Sequence, residues 1–297
     1  MSEGLLVDQP TVGAPAAQGI WRSTLQRLLR NFNAVAGGLF LLVITLACSA
    51  TPLLTSHDPA ALSPADALNA PSLKFPMGTD HFGRDQLTRI LYGGRISLRV
   101  GLISVSIGAG FGILLGAIAG YWGGWVDEVI SRLIDVKLAF PGILLAMAVV
   151  SVLGPSLYNL MIAVGIGWIS GFSRLTRSQM LVAMAHDYVV AARAMGCSNT
   201  RIVVRHIFPN VMAPIVVYGT LAIAGAILAS ASLNYLGMGA KPPIPEWGLM
   251  LAESRDYIRR AWWLATFPGV SIMATVISIN LVGDGLRDSL DPWLKGR

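Results

Sequence analysis

Apolar positions in this 297-residue chain do not alternate with polar ones; they gather into long blocks. The blocks lie at about Phe32–Leu54, Ser97–Tyr121, Val126–Leu153, Tyr158–Leu175, Val211–Leu236 and Leu264–Gly283. Each approaches or exceeds the ~20 helical residues that cross a hydrocarbon core about 30 Å thick. Helices satisfy their backbone groups internally, as lipid demands. The pattern therefore predicts an all-α membrane protein with about six transmembrane helices.

The polar segments between the blocks set the organisation. They divide the chain into an N-terminal tail over 1–31, a first span over 32–54, an external loop over 55–94, a five-helix core over 95–287 and a short tail over 288–297. Residues 1–20, with Pro10, Gly13, Pro15 and Gly19, read as disordered. The first apolar run is too long for a signal-peptide core of about 7–15 residues. Pro59, Pro64, Pro71 and Pro76 break any long helix in the external loop. Within it, Leu87, Ile90 and Leu91 recur at helical spacing, with Arg84, Arg89 and Arg95 on other faces. That pattern predicts an amphipathic helix over Asp85–Ile96 lying at the membrane surface. A second external loop, 237–262, carries Pro242, Pro243, Pro245, Trp247 and Trp262. Arg22, Arg27 and Arg30 precede the first span, and Lys and Arg show a modest excess on the same side, so both termini are expected in the cytoplasm.

Three features interrupt the apolar blocks. Gly108, Gly112, Gly116 and Gly120 lay a smooth stripe down one helix face, suited to close packing or to a moving helix contact beside a pathway, with packing preferred. Phe140-Pro141-Gly142 breaks a helix where the apolar run begins, and a break at depth lines a cavity or packs against protein. Asn159, Asn234 and Asn280 are expected to face inward, lining the pathway or bonding between helices, because lipid-facing amides are costly.

Composition narrows the classes of function. Hydrophobic residues make up 54% of the chain and charged residues 13%, against about a quarter charged in soluble domains. The net charge of +6 is scattered, with no basic face for nucleic acid. Cys48 and Cys197 support neither a disulfide framework nor a thiolate metal site, and His57, His81, His186 and His206 lack ligand spacing. No metal or cofactor is expected on this chain. It has no phosphate-binding G-x-x-x-x-G-K-[ST] loop and no nucleophile–base pairing, which argues against an enzyme. The lack of a clear internal repeat weighs against a single-chain secondary transporter.

The polar heart of the chain is 176–210. His186 to Gly196 reads as a short helix that Asp187 caps and Gly196 ends. A second short helix starts at Ser198 or Asn199, runs through Phe208 and is halted by Pro209. Ala191, Ala192 and Ala194 keep the first helix slim enough for a partner's groove, while Arg193, Arg201 and Arg205 offer charged contacts. By composition alone, a solvated connector that merely reverses the chain is the favoured reading of this segment.

Spacing changes that picture. Ala191-Ala192, three residues, Gly196, nine residues and His206-Ile207-Phe208-Pro209 resemble the EAA loop of ABC-importer permeases, with Val190 in place of the leading Glu and His206 in place of an Ile. Gly78-Thr79-Asp80-His81-Phe82-Gly83-Arg84-Asp85, Tyr92 to Leu98, Pro243 to Gly248, Asn280 to Asp288 and Leu290-Asp291-Pro292 resemble the dipeptide/oligopeptide/nickel branch, in particular the second permease of its pair. The resemblance implies a type I importer subunit of MetI-like fold in a bacterial inner membrane. It also implies a homologous permease, two ATPase subunits that bind ATP and Mg, and a periplasmic or lipid-anchored solute-binding protein. Asp187, Ala191, Ala192, Arg193, Gly196, Arg201, Arg205 and Pro209 would couple the chain to the ATPases. Di- and oligopeptides are the expected cargo; glutathione, nickel chelates and opine-like solutes are alternatives. An ATP-independent transporter or channel is the reading from a different class.

Overall fold

The computed structural model describes residues 25–290, and among these all regular structure is helical. The expected disordered tail, Arg22, Asp291, Pro292 and Lys295 lie outside the described residues. Helix α1 (Phe32–Ser49) starts where the Asn31 side chain accepts the Ala34 N–H. Helix α2 (Gln86–Trp122) is 37 residues long and capped by Asp85, whose carboxylate takes the Thr88 N–H at 2.9 Å. It stops at Gly123, where φ is +61. Helices α3 (Gly124–Leu138) and α4 (Gly142–Leu153) meet at 89°. Helix α5 (Leu157–Met184) follows, then the short α6 (Asp187–Ala194) and the 37-residue α7 (Asn199–Tyr235). A second short helix, α8 (Trp247–Ser254), leads to α9 (Trp263–Leu290).

Helices α1, α2, α7 and α9 are each long and apolar enough to cross a bilayer, and the bent α3–α4 pair makes a fifth candidate. Helix α5, the expected fourth span, is 28 residues long, but Asn159, Arg174 and Arg177 dilute its apolarity. Leu39, Leu42, Val43 and Leu46 lie exposed along α1. In water such a face would drive aggregation, whereas against lipid tails it costs nothing.

The glycine stripe sits in the contact between α2 and α5. A Cβ at Gly108 would meet Trp168 Cβ at 2.5 Å, and one at Gly120 would meet Met180 Cβ at 2.6 Å. At Gly112 it would meet both Phe172 Cβ at 2.5 Å and the Ile169 carbonyl oxygen at 2.6 Å. Backbone cannot swing aside as a flexible side chain can. Gly112→Leu should therefore destabilise the permease by at least the ~1–3 kcal/mol typical of overpacking. Gly110→Leu, with open space around its Cβ position, should stay within about 0.5 kcal/mol of wild type. Thermal unfolding in detergent separates the two.

Two expectations fail at the helix boundaries. The surface-lying helix expected over Asp85–Ile96 is instead the start of α2, continuous with the span. Its Arg89 and, just before its cap, Arg84 are 1% and 2% exposed. Arg95 folds back onto the carbonyls of Cys48 and Ser49, near the end of α1. Helical periodicity places those arginines toward water because it does not register partners outside the helix: Asp80 before it, the Cys48 and Ser49 carbonyls, and Glu253 far along the chain. Pro209 likewise does not end a helix. The backbone widens into a π turn over Ile202–Ile207, and α7 continues through the proline to Tyr235. A proline inside a helix removes one donor and crowds the carbonyl four residues back, and a wider turn relieves both effects. The Asn210 side-chain amide donates to the His206 carbonyl at 2.6 Å, giving that oxygen a partner.

Candidate functional site

Helix α6 and the start of α7 form an elbow at the end of the bundle opposite the 55–85 segment. Asp187 is not the cap: His186 occupies that position without a side-chain bond, and Asp187 is the first helical residue. There it favours the positive end of the helix dipole through charge. Gly196 closes the helix at φ +76. Its N–H donates to the Arg193 carbonyl at 2.9 Å and the Cys197 N–H to the Ala192 carbonyl at 3.1 Å, the paired bonds of a Schellman ending. Ser198 then caps α7 by accepting the Arg201 N–H.

The elbow has two faces. Val189 and Ala192 are buried and join Ile202 and Ile207 in the main core, so α6 is seated on the bundle. Ala192, expected to meet a partner, faces inward. Ala191 points outward with Val190, which is 61% exposed, and Met195, which is 74% exposed. Val204 of the π turn adds to this apolar outer surface. Asp187, Arg201, Arg205 and Pro209 are exposed around it. Arg193, also exposed, lies 6.0 Å over the Tyr121 ring.

Tyr121 was not among the residues picked from the sequence. Its hydroxyl is 2.7 Å from the Asn199 carbonyl oxygen of its side chain, tying the end of α2 to the start of α7. Lys137 is a second such residue. Its ammonium donates to the Gly167 carbonyl at 2.7 Å and the Ser170 hydroxyl at 2.8 Å, and Asp127 pairs with Arg177. These bonds lock α3 onto α5. No local spacing signals them, because each joins positions far apart in the chain.

The other candidates are scattered. Pro141 stands at the α3–α4 bend, beside a cavity of about 280 Å³ lined by Gly142, Ile143, Ala146, Trp168, Ala229 and Leu233. The Asn159 amide donates to the Leu153 and Gly154 carbonyls, both at 2.8 Å, and so ties the end of α4 to α5. Asn234 is fully buried at the end of α7 and accepts the Ala240 N–H at 2.6 Å. Asn280 is half-buried on α9. These polar groups and the glycine stripe do not converge on one site. Among the described residues no group of His, Cys, Asp and Glu is placed to hold a metal.

A helical bundle with long apolar spans, a broken span and a docked elbow defines a multi-pass membrane protein. Residues 112–296 match the family described as binding-protein-dependent transport system inner membrane component. Residues 19–71 match the N-terminal TM domain of oligopeptide transport permease C. The chain belongs to the binding-protein-dependent transport system inner membrane component family.

Its relatives include the dipeptide transport system permease protein DppC of Alkalihalophilus pseudofirmus, 46% identical over 97% of this chain and 93% of that protein. The di/tripeptide transport system permease protein DppC of Pseudomonas aeruginosa is 44% identical, with 91% of each chain covered. The glutathione transport system permease protein GsiD of Pectobacterium atrosepticum is 43% identical over 99% of this chain and 98% of that one. Among solved structures, the inward-facing MetNI methionine ABC transporter shares the fold, at a TM-score of 0.57 and 18% identity over 68% of this chain and 96% of that one. This protein is thus a multi-pass inner-membrane permease subunit of an ABC importer. It is non-catalytic, with ATP bound by a partner ATPase and solute delivered by a binding protein.

Proposed function

We propose that this chain pairs with a homologous permease to import di- and oligopeptides, and that the α6–α7 elbow couples it to one of two ATPase subunits. The observation that carries the coupling reading is the continuity of α7. A seated α6, a glycine-closed turn and a 37-residue helix that runs on through the π turn over Ile202–Ile207, Pro209 and Pro214 join the outer apolar face of the elbow to the far end of the bundle. At 1.5 Å per residue α7 is about 55 Å long, so a displacement of α6 is carried across the depth of the membrane by a single helix. In this reading the elbow and both termini are cytoplasmic, and segments 55–85 and 237–262 are periplasmic. Val190, Ala191 and Met195 fill an apolar groove of the ATPase, and Arg201 and Arg205 meet carboxylates at its rim. Chain division follows the same lines, with a tail, a first span and a five-helix core. The cavity at the Pro141 bend is the pathway candidate, and the glycine stripe is packing.

Peptide cargo is supported by the dipeptide and di/tripeptide permeases among the relatives, and the 43% identical glutathione permease favours glutathione as a second reading. The test is uptake by proteoliposomes holding both permeases, both ATPases and the binding protein. Labelled dipeptide should accumulate only with ATP and binding protein, and unlabelled tripeptides should compete. Competition by glutathione alone would select the second reading. Orientation is checked by impermeant maleimide on whole cells, which should label Lys74→Cys and leave Arg201→Cys unlabelled. The reverse pattern would invert the topology.

A further inference from the structure

Residues 55–85 cross one end of the bundle as a strap, and its fastenings are buried. The Asp80 carboxylate organises the strap's own turn, taking the Phe82 N–H at 2.8 Å and the Arg84 N–H at 2.9 Å on one oxygen. Its other oxygen receives Arg84 at 2.5 Å and lies 3.5 Å from Arg89. The same two arginines reach Glu253 of α8, Arg84 at 3.4 Å and Arg89 at 3.0 Å. Arg89 also donates to the carbonyls of Pro59, in the strap, and Pro243, in the loop before α8, both at 3.2 Å.

Other contacts close the remaining sides. The Trp263 indole N–H of α9 donates to the Thr79 carbonyl at 3.0 Å, and Leu68 packs on Trp263 and Leu264. The Thr55 and Thr88 hydroxyls are 2.6 Å apart. The His81 ring stacks on Tyr257 with centroids 4.9 Å apart. Glu246 caps α8 by accepting the Leu249 N–H and also the Ser97 hydroxyl of α2, so α8 is itself fixed to the start of α2.

Mobile flaps have few buried contacts and exposed backbone bonds. The last part of this segment shows the reverse: Phe75, Thr79, Asp80, Arg84 and Asp85 are buried and fasten it, while most of 56–74 runs exposed over them. The two arginines are met by the carboxylates of Asp80 and Glu253, and a third buried carboxylate, Asp85, caps α2 through Thr88. Swinging the strap away would separate charges that lie out of water, which is unfavourable unless new partners take their place.

We propose that the 55–85 segment is a brace and not a lid: it moves as one rigid body with α8 and the adjoining ends of α1, α2 and α9 throughout the transport cycle. The switch between access states is then made elsewhere in the importer. Arg84 and Arg89 are the positioning residues that fasten the brace. The inference rests on the chain's place in an ATP-driven importer.

The test joins the brace to the bundle covalently. In a Cys197→Ser background, His81→Cys and Tyr257→Cys are bridged by a short bifunctional methanethiosulfonate in the complete importer. Uptake should stay within about twofold of the unbridged protein, since nothing need open between the two positions. A fall of about tenfold, restored by reduction, would overturn the brace and make the segment a gate. If the wild-type complex shows no ATP-dependent uptake, the importer reading fails; if only the unbridged variant is inactive, the brace is judged on wild-type protein by hydrogen exchange. There, amides of 55–85 and of α8 should keep the same protection in nucleotide-free and vanadate-trapped complexes. Loss of protection about tenfold or greater in the strap alone, in either state, would sink the proposal.

Discussion

Gly196→Trp should leave the permease folded and inserted while abolishing both co-purification of the ATPase and ATP-dependent uptake. Two physical effects combine at this position. Gly196 has φ +76, where a side chain costs roughly 1–2 kcal/mol, and strain at the elbow changes the angle between α6 and α7. A Cβ at Gly196 meets no atom of this chain within 4 Å. The indole would therefore project away from the bundle, where only a partner would feel it. Gly196→Asn separates the contributions, because Asn tolerates left-handed backbone and is small. It should retain most of the uptake, and Gly196→Ala should fall between the two. Pull-down of the ATPase and proteoliposome uptake are the measurements. Unchanged uptake in the Trp variant would remove the elbow from the coupling path.

Arg89→Ala should be the most destabilising single substitution at the opposite end, lowering stability by about 3–5 kcal/mol, the usual cost of removing one partner from a buried ion pair. Arg89 binds two carboxylates and two carbonyls while 1% exposed. Truncation orphans all of these and leaves a void. Arg89→Lys should recover only part of the loss, since a single ammonium cannot reach partners that lie on several sides of a planar fork. The contrast is Arg174–Asp135, a 2.6 Å pair whose side chains are 60% and 57% exposed. Removing that pair should cost under about 1 kcal/mol, because water and salt screen it. Thermal unfolding of the purified permease in detergent measures both. Equal effects at the two sites would show that the cluster around Arg89 is solvated in the working protein.

The two ends of the bundle differ in how readable they are. Around Gly196 the glycine at the end of an alanine-rich helix and the serine two residues later are local signals, and the structure places the turn and the second cap there. The first cap was misassigned by one residue, since His186 and Asp187 both stand at the helix start and only backbone geometry distinguishes them. Pro209 was read as a stop because a proline inside a helix usually interrupts it. The structure instead accommodates it in a π turn, a distortion with no sequence signature strong enough to predict. Around Arg89 the local pattern was misleading. Leucines and isoleucine at helical spacing with interspersed arginines describe a surface helix equally well as a buried one whose partners come from elsewhere.

Bilayer physics made the membrane class, the long spans and the break at Pro141 readable from residue order alone, since apolar run length and proline placement are local properties. Spacing within the elbow was local too. Which face of each helix is buried was not. The glycine stripe became a contact with α5, Ala192 turned inward, and Arg84 and Arg89 joined Glu253 on a distant segment only once the chain had packed. Such pairings depend on atoms brought together across more than a hundred residues, as between Arg89 and Glu253. Burial and charge compensation are properties of that packed neighbourhood, so the tertiary structure alone decided them.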